Sequence, residues 1–126
     1  MRELLTSHFY RDEFGCRGKE CCGHSAPIDL FFVELLELFR VLLGNRSLIV
    51  NSGFRCQTYN DTIRTSLPTS QHIKGTAADI RIPKGMNSET VFTIAKESKM
   101  FGGIGIYRTF IHLDNGPRRN YWDERS

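Results

Sequence analysis

The sequence predicts an α+β fold in which a small antiparallel sheet is flanked by helices. Apolar residues recur with the period of an amphipathic helix over residues 28–43. Short stretches at 47–52, 76–82, 102–107 and 110–114 are typical of strands. Because these helices and strands do not alternate in a regular βαβ rhythm, we expect helices packed on one face of an antiparallel sheet.

The length and composition predict a single domain that spans residues 1–126. The chain has 126 residues, of which 40% are hydrophobic, and this suffices for one core. No internal repeat or low-complexity segment divides it. Residues 1–27 are rich in glycine, cysteine and charge, so we expect them to form an irregular N-terminal arm.

Three helices are predicted from apolar periodicity and from residues that start or stop helices. Gly44 followed by Asn45 ends the first helix, as a glycine just past a helix C-terminus does. Ser88 is expected to cap the third helix, with Glu89 in its first turn. The predicted bounds are 28–43, 57–65 and 88–99, with a loop at 66–70. The apolar stripe of the first helix consists of Ile28, Phe31, Phe32, Leu35, Leu36, Leu38, Phe39 and Leu42.

The second half of the chain predicts a hairpin followed by a basic tail. The stretches 102–107 and 110–114 are separated only by Arg108 and Thr109, which would form the turn. The residues after Pro117 are rich in arginine and are expected to form a solvated tail.

Charge and hydropathy exclude several classes of partner. The formal net charge of +3 is too weak to indicate nucleic acid, and no nucleic-acid-binding motif accompanies it. The longest apolar run, 28–43, is interrupted by charged residues and is too short to cross a membrane. The N-terminus lacks the apolar core of a signal peptide, so we expect a cytoplasmic product that reaches any external substrate after release. A monomer is expected.

Two imidazoles and two carboxylates are the most informative polar groups of the chain. His72, Asp79 and His112 offer three nitrogen or oxygen ligands, and a catalytic zinc site consists of three such ligands plus an open position for water. Zinc would lower the pKa of that water. Each histidine alone fits a surface position better than a ligand. Asp79, however, lies inside an apolar strand, where a carboxylate is costly unless it is paired, hydrogen-bonded or metal-bound.

Strand alternation predicts that His112 and Asp114 lie on the same face, opposite Ile111 and Leu113. One of the two could bind a metal while the other acts on the bound water. A surface His–Asp pair is the alternative if this stretch is considered alone.

Arg55 follows the strand at 47–52 and could hold a substrate carboxylate or an oxyanion, although a structural ion pair would explain it as well.

The four cysteines leave several explanations open. Cys16, Cys21 and Cys22 cluster near glycines, and Cys56 lies far along the chain. A small structural metal site with His24 as the fourth ligand, a redox pair, a disulfide to Cys56 and reduced thiols are all compatible with this spacing.

Four segments taken together resemble a known family. They read SGFR at 52–55, SQHIKGTAAD at 70–79, GIGIY at 103–107 and FIHLD at 110–114. The Ser-x-His-x-x-Gly-x-Ala-x-Asp pattern in the second is specific, and the others support it by order and spacing. They resemble the zinc D-Ala-D-Ala carboxypeptidase and murein endopeptidase family, which includes phage endolysins and shares its fold with the hedgehog signalling domain. The resemblance runs from about residue 8 to residue 122.

The resemblance implies a zinc-dependent peptidase that hydrolyses stem peptides or cross-links of bacterial peptidoglycan. His72, Asp79 and His112 would bind Zn²⁺, and Arg55 would stabilise the tetrahedral intermediate or anchor a peptide carboxylate. The residues expected to contact substrate are Ser70, Gln71 and Tyr107. Which peptide bond is cut does not follow from these segments.

One position departs from the family pattern. Many relatives carry a catalytic Glu or Asp three residues before the final histidine ligand, where this chain has Thr109. Asp114 is the nearest alternative and is assigned as the general base, although it could instead orient His112 or tie its strand to Arg118 or Arg119. This departure keeps open a zinc-containing wall- or peptide-binding domain without turnover. A structural protein that uses its Cys-rich arm is a further alternative.

Overall fold

The structure, a computed structural model, describes residues 2–63 and 70–125. Three α-helices, one 3₁₀ helix and seven strands follow one another within these ranges. In chain order they are β1 (Leu4–Thr6), β2 (Phe9–Tyr10), the 3₁₀ helix (Arg11–Phe14), α1 (Leu30–Leu42), β3 (Val50–Ser52), α2 (Gln57–Asn60), β4 (Ala77–Arg81), α3 (Ser88–Ser98), β5 (Gly103–Ile106), β6 (Phe110–Asp114) and β7 (Asn120–Asp123).

The main sheet has five strands in the order β3-β4-β6-β5-β7. The first four are antiparallel neighbours, and β5 and β6 form the predicted hairpin. β7 pairs with β5 in parallel, so the sheet is not entirely antiparallel as expected. The predicted solvated tail is therefore wrong for residues 120–123, which form an edge strand.

Helices α1 and α3 cover one face of this sheet and enclose the core. α1 buries Phe32, Val33, Leu36 and Phe39, and Phe39 meets the ring of Phe101 edge to face at 5.6 Å. The predicted stripe was broader than the face that contacts the core, since Phe31, Leu38 and Leu42 of that stripe are exposed. From the sheet, the core receives Ile80, Ile104, Ile111 and Leu113, so the α+β class is confirmed.

The N-terminal segment is more ordered than an irregular arm. β1 and β2 form a small hairpin, and Phe9 and Phe14 are fully buried with ring centroids 5.8 Å apart. The carboxylate of Glu37 on α1 accepts a hydrogen bond from the backbone N–H of His8 at 2.7 Å. Phe9 and Phe14 belong to the same core cluster as the apolar residues of the sheet. Burial of their rings therefore joins the N-terminal segment to the main core.

The helix ends differ from the predictions in detail. Asp29 caps α1 by accepting from the N–H of Phe32, and Gly44 follows the helix with a φ of +82° as predicted. Asn87, and not Ser88, caps α3 by accepting from the N–H of Thr90 at 2.8 Å. The second helix ends at Asn60 rather than at residue 65, and most of the predicted loop 66–70 lies outside the described residues. Within the described ranges, no helix is long and apolar enough to span a membrane.

Candidate metal centre

One transverse row of residues crosses the sheet on the face opposite the helices. Asp79 of β4 pairs with His112 of β6, His112 pairs with Gly105 of β5, and Gly105 pairs with Trp122 of β7. Residues in register on neighbouring strands point to the same face. Since Ile111 and Leu113 face the core, His112 and Asp114 face outward from it together, as alternation predicted.

His72 reaches the same place from the turn that precedes β4. Its Nε2 lies 3.3 Å from Oδ1 of Asp79, and Nδ1 of His112 lies 3.0 Å from that oxygen. The three ligand atoms of His72, Asp79 and His112 all lie within 4.8 Å of one another. The structure therefore brings together the three residues that the sequence selected, in a nitrogen–oxygen–nitrogen donor set that suits a divalent metal such as zinc.

In each imidazole, the nitrogen that faces away from Asp79 has a hydrogen-bond partner that fixes the ring. Nδ1 of His72 donates to the carbonyl oxygen of Gly53 at 2.7 Å, which leaves Nε2 directed at Asp79. Nε2 of His112 lies 2.7 Å from Oδ2 of Asp114, which leaves Nδ1 directed at Asp79. Ligating histidines in metal sites characteristically donate their second N–H to a carbonyl or carboxylate in this way. The residues present therefore fit a bound metal both by their donor atoms and by the hydrogen bonds that fix the two imidazole rings.

Burial strengthens the interactions among these groups. His72, Asp79 and His112 are between 2% and 9% exposed, so a surface histidine is excluded as an explanation of His72. Burial raises the pKa of Asp79, but the hydrogen bonds with His112 and His72 outweigh it and hold that pKa below its usual range. Burial lowers the pKa of His112, yet Asp114 and Asp79 together raise this pKa to about 9. Without a metal, an imidazolium between two carboxylates is the stable arrangement.

Asp114 is held on both of its carboxylate oxygens. Oδ2 faces His112, while Oδ1 accepts from the backbone N–H groups of Gly103 and Gly116, both at 2.9 Å. Burial raises the pKa of Asp114, and the bond with His112 and the backbone donors lower it overall. A Cβ at Gly103 would overlap the carboxylate, so glycine there permits this close approach. A buried carboxylate with these partners is well placed to orient His112.

Arg55 lies beside Oδ2 of Asp79, the carboxylate oxygen that faces away from the imidazoles. Its Nη2 donates to Oδ2 of Asp79 at 3.2 Å, and its Nε lies 3.4 Å from the hydroxyl of Ser52. The backbone N–H of Arg55 donates to the carbonyl of His72, which joins the two loops that carry these residues. The guanidinium thus orients Asp79 so that Oδ1 faces the imidazoles.

Trp122 belongs to the site, although the sequence indicated only a basic tail at this point. Its ring centroid lies 5.1 Å from that of His112, and its indole N–H donates to the hydroxyl of Tyr107 at 3.0 Å. The indole lies over Gly105, where any side chain would collide with it. A single tryptophan in a short stretch of charged residues was the available signal, but its pairing with β5 is a tertiary feature.

The remaining selected residues surround this row. Tyr107 stacks on Phe110 with centroids 4.2 Å apart. Ser70 accepts from the N–H of His72, and Gln71 accepts from the hydroxyl of Thr76, so both shape the turn that carries His72. Thr109 lies beyond the paired ends of β4 and β6, and its carbonyl accepts from Ile82.

The site has the donor set of a metal centre in an α+β domain, and comparison with known proteins gives the family. The model of the Peptidase M15 family matches residues 7–114, and the chain belongs to this family. The predicted family is thereby confirmed, and its peptidases are metal-dependent.

A curated relative supports this assignment. The probable peptidoglycan L,D-endopeptidase MepK of Haemophilus influenzae is 41% identical over 83 residues, which are 64% of this chain and 41% of the relative. The aligned segment therefore spans less than half of that relative's length.

Proposed function

We propose that this chain is a zinc-dependent peptidase that hydrolyses peptide bonds in the stem peptides or cross-links of bacterial peptidoglycan. The observation that carries the proposal is the convergence of Nε2 of His72, Oδ1 of Asp79 and Nδ1 of His112, with the second nitrogen of each ring fixed by a partner. Such pre-oriented ligands on a rigid sheet are what a catalytic metal site requires.

In the proposed site His72, Asp79 and His112 hold the metal. Zinc in a site of this kind acts as a Lewis acid and lowers the pKa of water. The protein contributes orientation: Gly53 fixes the ring of His72 through its carbonyl, and Arg55 holds the outer oxygen of Asp79. These bonds pre-orient His72 and Asp79, and Asp114 pre-orients His112. Little rearrangement is therefore needed when the site is loaded.

We propose that Arg55 also supplies positive charge next to the reacting carbonyl. Its side chain is 12% exposed and lies directly beside the carboxylate of Asp79. A guanidinium in this position stabilises either the oxyanion that forms as water adds to the amide or a carboxylate of the peptide. The sequence offered a structural ion pair as the alternative, and the structure shows one between Arg55 and Asp79. It is compatible with the proposed role, because one side chain performs both.

For Asp114, the geometry favours the orienting role over that of general base. Its two oxygens already accept from one imidazole and two backbone amides, and its pKa is lowered, which makes it a weaker proton acceptor. Asp114 therefore holds His112 in the tautomer that presents Nδ1 to the metal.

The substrate class rests on family membership and on the relative's name, which describes a peptidoglycan L,D-endopeptidase. The aromatic pair Tyr107 and Trp122 next to His112 gives the site a flat wall against which a peptide can lie. The net charge of +3 is compatible with an anionic wall polymer.

The test is hydrolysis of purified peptidoglycan by the full chain, with and without a chelator. We expect chelator-sensitive release of peptides, restored by added zinc, and mass spectrometry of the products identifies the bond. His72→Ala should lose both bound metal at this site and activity. His8→Ala is the matched control, because His8 lies on the N-terminal hairpin and bonds Glu37. Equal activity of His72→Ala and the control would refute the proposal.

A binding domain without turnover is the second candidate, and the environment of Asp114 favours it. If the oxygens of Asp114 serve only to orient His112, this residue supplies no base for hydrolysis. Zinc-dependent binding to purified peptidoglycan, with no product released from any wall tested, would identify this second function.

A further inference from the structure

A second cluster of metal-binding side chains lies outside the site described above. The sulfur atoms of Cys16, Cys21, Cys22 and Cys56 all lie within 4.8 Å of one another. Three come from the loop after the 3₁₀ helix, and Cys56 comes from the start of α2, so the fold joins two distant segments here. All four are free thiols in the structure.

The spacing of these sulfur atoms fits ligands of one metal ion. Sγ of Cys16 lies 3.9 Å from that of Cys21 and 3.8 Å from that of Cys56, and the sulfurs of Cys21 and Cys22 are 3.9 Å apart. A tetrahedron with Zn–S bonds of about 2.3 Å has edges of roughly 3.8 Å. A disulfide would require a separation of about 2.05 Å. A pair of thiols in contact would not explain why four converge on one point.

We propose that Cys16, Cys21, Cys22 and Cys56 bind one Zn²⁺ in a structural tetrathiolate site. Four protein ligands leave no open position, and this distinguishes a structural site from a catalytic one. The proposal does not depend on the function of the His72 site.

The surroundings of the sulfurs are built for this arrangement. The backbone N–H of Tyr59 donates to Sγ of Cys56 at 3.4 Å, a bond that supports a thiolate. A Cβ at Gly18 would lie 2.7 Å from Sγ of Cys21 and 2.8 Å from the ring of Tyr59, so the loop can close around the sulfurs only with glycine there. Cys16 is buried, with 1% of its surface exposed.

Cys56, and not His24, completes the cluster. Among the described residues, the side-chain ligand atoms that converge here within 4.8 Å are the four sulfurs, and His24 contributes none of them. Nδ1 of His24 lies 2.9 Å from the carbonyl oxygen of Cys16 and so helps to hold the loop. The sequence could not decide between these two residues, because Cys56 is 34 positions from Cys22 and only the fold brings them together. The structure therefore favours Cys56 over His24 as the fourth ligand of the proposed site.

The proposed zinc would act on the first site through the chain that links them. Cys56 directly follows Arg55, and the N–H of Arg55 donates to the carbonyl of His72 at 3.1 Å. The N–H of Phe54 donates to the carbonyl of Phe14, just before the cysteine loop. Fixing Cys56 to that loop would therefore hold the segment that orients both Arg55 and His72.

The first experiment compares metal content and thiol reactivity in the full chain purified under reducing conditions. We expect two zinc ions per chain in the wild type and one in His72→Ala. The four thiols should resist a thiol reagent in the native protein, and a mercurial should release one zinc as it modifies them. Cys21 and Cys22 are partly exposed, so without a metal they should react at once.

Cobalt substitution gives a spectroscopic readout of the thiolate ligands, beginning with the wild type. Co²⁺ bound to four thiolates absorbs strongly in the near ultraviolet and visible, and this absorption should persist in His72→Ala. In Cys22→Ser, at a partly exposed position of the cluster, this absorption should be lost or shifted while metal at the His72 site remains. Iron in place of zinc, disulfides in the purified chain, or reactive thiols with a full zinc complement would each overturn the proposal.

Discussion

The outer nitrogen of His112 lies 2.7 Å from a carboxylate oxygen of Asp114, only two residues further along the same strand. Alternation along β6 places both side chains on the face opposite the helices, and Gly103 on the neighbouring strand leaves room for the carboxylate. This pair fixes the ring of His112 before any ligand arrives. Of the roles that the sequence left open for Asp114, this contact favours orientation of His112.

Asp114→Asn tests these roles directly. If Asp114 orients His112, we expect zinc affinity at this site to fall about 10- to 100-fold, because the amide no longer stabilises the required tautomer. A general base would instead leave zinc affinity unchanged and remove turnover alone. Competitive titration with a chelator measures the affinity, and the same titration of His72→Ala identifies the contribution of the cysteine cluster. Unchanged affinity with lost hydrolysis would restore the base assignment.

The raised pKa of His112 predicts how metal affinity depends on pH. With a pKa of about 9, against an ordinary value of 6.5, His112 carries two protons at neutral pH when no metal is bound. Zinc must displace the proton on Nδ1, so the affinity should rise about tenfold per pH unit up to about pH 9 and flatten above it. Calorimetry in buffers of different ionisation enthalpy should detect one proton released per zinc bound.

The same shift has a consequence for the stability of the metal-free protein. A folded-state pKa above the unfolded value means that the protonated imidazole stabilises the fold, fully below the unfolded pKa of 6.5. That contribution is lost as the pH rises through about 9. Chemical unfolding of the metal-free wild type and of metal-free His112→Gln, at pH 6 and at pH 10, measures this contribution. An equal difference in the free energy of unfolding between the two proteins at both pH values would contradict the raised pKa of His112.

Arg55→Lys separates charge from geometry. Lysine keeps the positive charge but cannot reproduce the planar guanidinium that holds Oδ2 of Asp79 at 3.2 Å. We expect kcat/KM on peptidoglycan fragments to fall by about 10²-fold or more, as for removal of an oxyanion donor, while zinc affinity falls less. Lys74→Arg is a matched conservative control, since Lys74 is not a member of the ion pairs that join Arg55, Asp79 and His72. Wild-type activity of Arg55→Lys would assign Arg55 a structural role.

Much of the site followed from local patterns in the sequence. Alternation in Phe110–Asp114 is enough to place His112 and Asp114 on one face, and the cost of burying Asp79 in an apolar strand is enough to mark it as functional. These inferences succeeded because strand geometry has a period of two and does not depend on distant residues. The first helix and the hairpin were also predictable from local patterns, the helix from its 3.6-residue period and the hairpin from its short connection.

What could not be predicted depends on pairing between distant segments. Asn120–Asp123 carries no strong strand pattern, and it becomes a strand because β5 presents an unpaired edge to it. Trp122 enters the site only through that pairing, next to Gly105. Cys56 joins the cysteine loop only when α2 packs beside it. A single sequence contains the residues of such contacts but not their distances.

Gly105→Ala probes the contact between β5 and Trp122. A methyl group there would overlap the indole, so the ring must leave its position beside His112, at a cost of about 1–3 kcal/mol. Tryptophan fluorescence reports the movement, since Trp122 is the single tryptophan of the chain. In a Trp122→Ala background the same substitution should cost much less, because the overlap is absent. Equal costs in both backgrounds would show that Trp122 is not the obstacle.

Phe14→Ala tests whether the N-terminal segment belongs to the core and supports the site. Phe14 is fully buried, and a Cβ at Gly53 would lie 2.7 Å from its Cα, so the two segments are in close contact. Removing the ring should lower the free energy of unfolding by about 3–5 kcal/mol. Phe31→Ala, at an exposed position of α1, is the matched control and should cost far less.

Since the carbonyl of Gly53 accepts from His72, we also expect zinc affinity to weaken in Phe14→Ala. Denaturant unfolding and zinc titration of both variants measure these effects, and an equal loss of stability in the two would place the N-terminal segment outside the core.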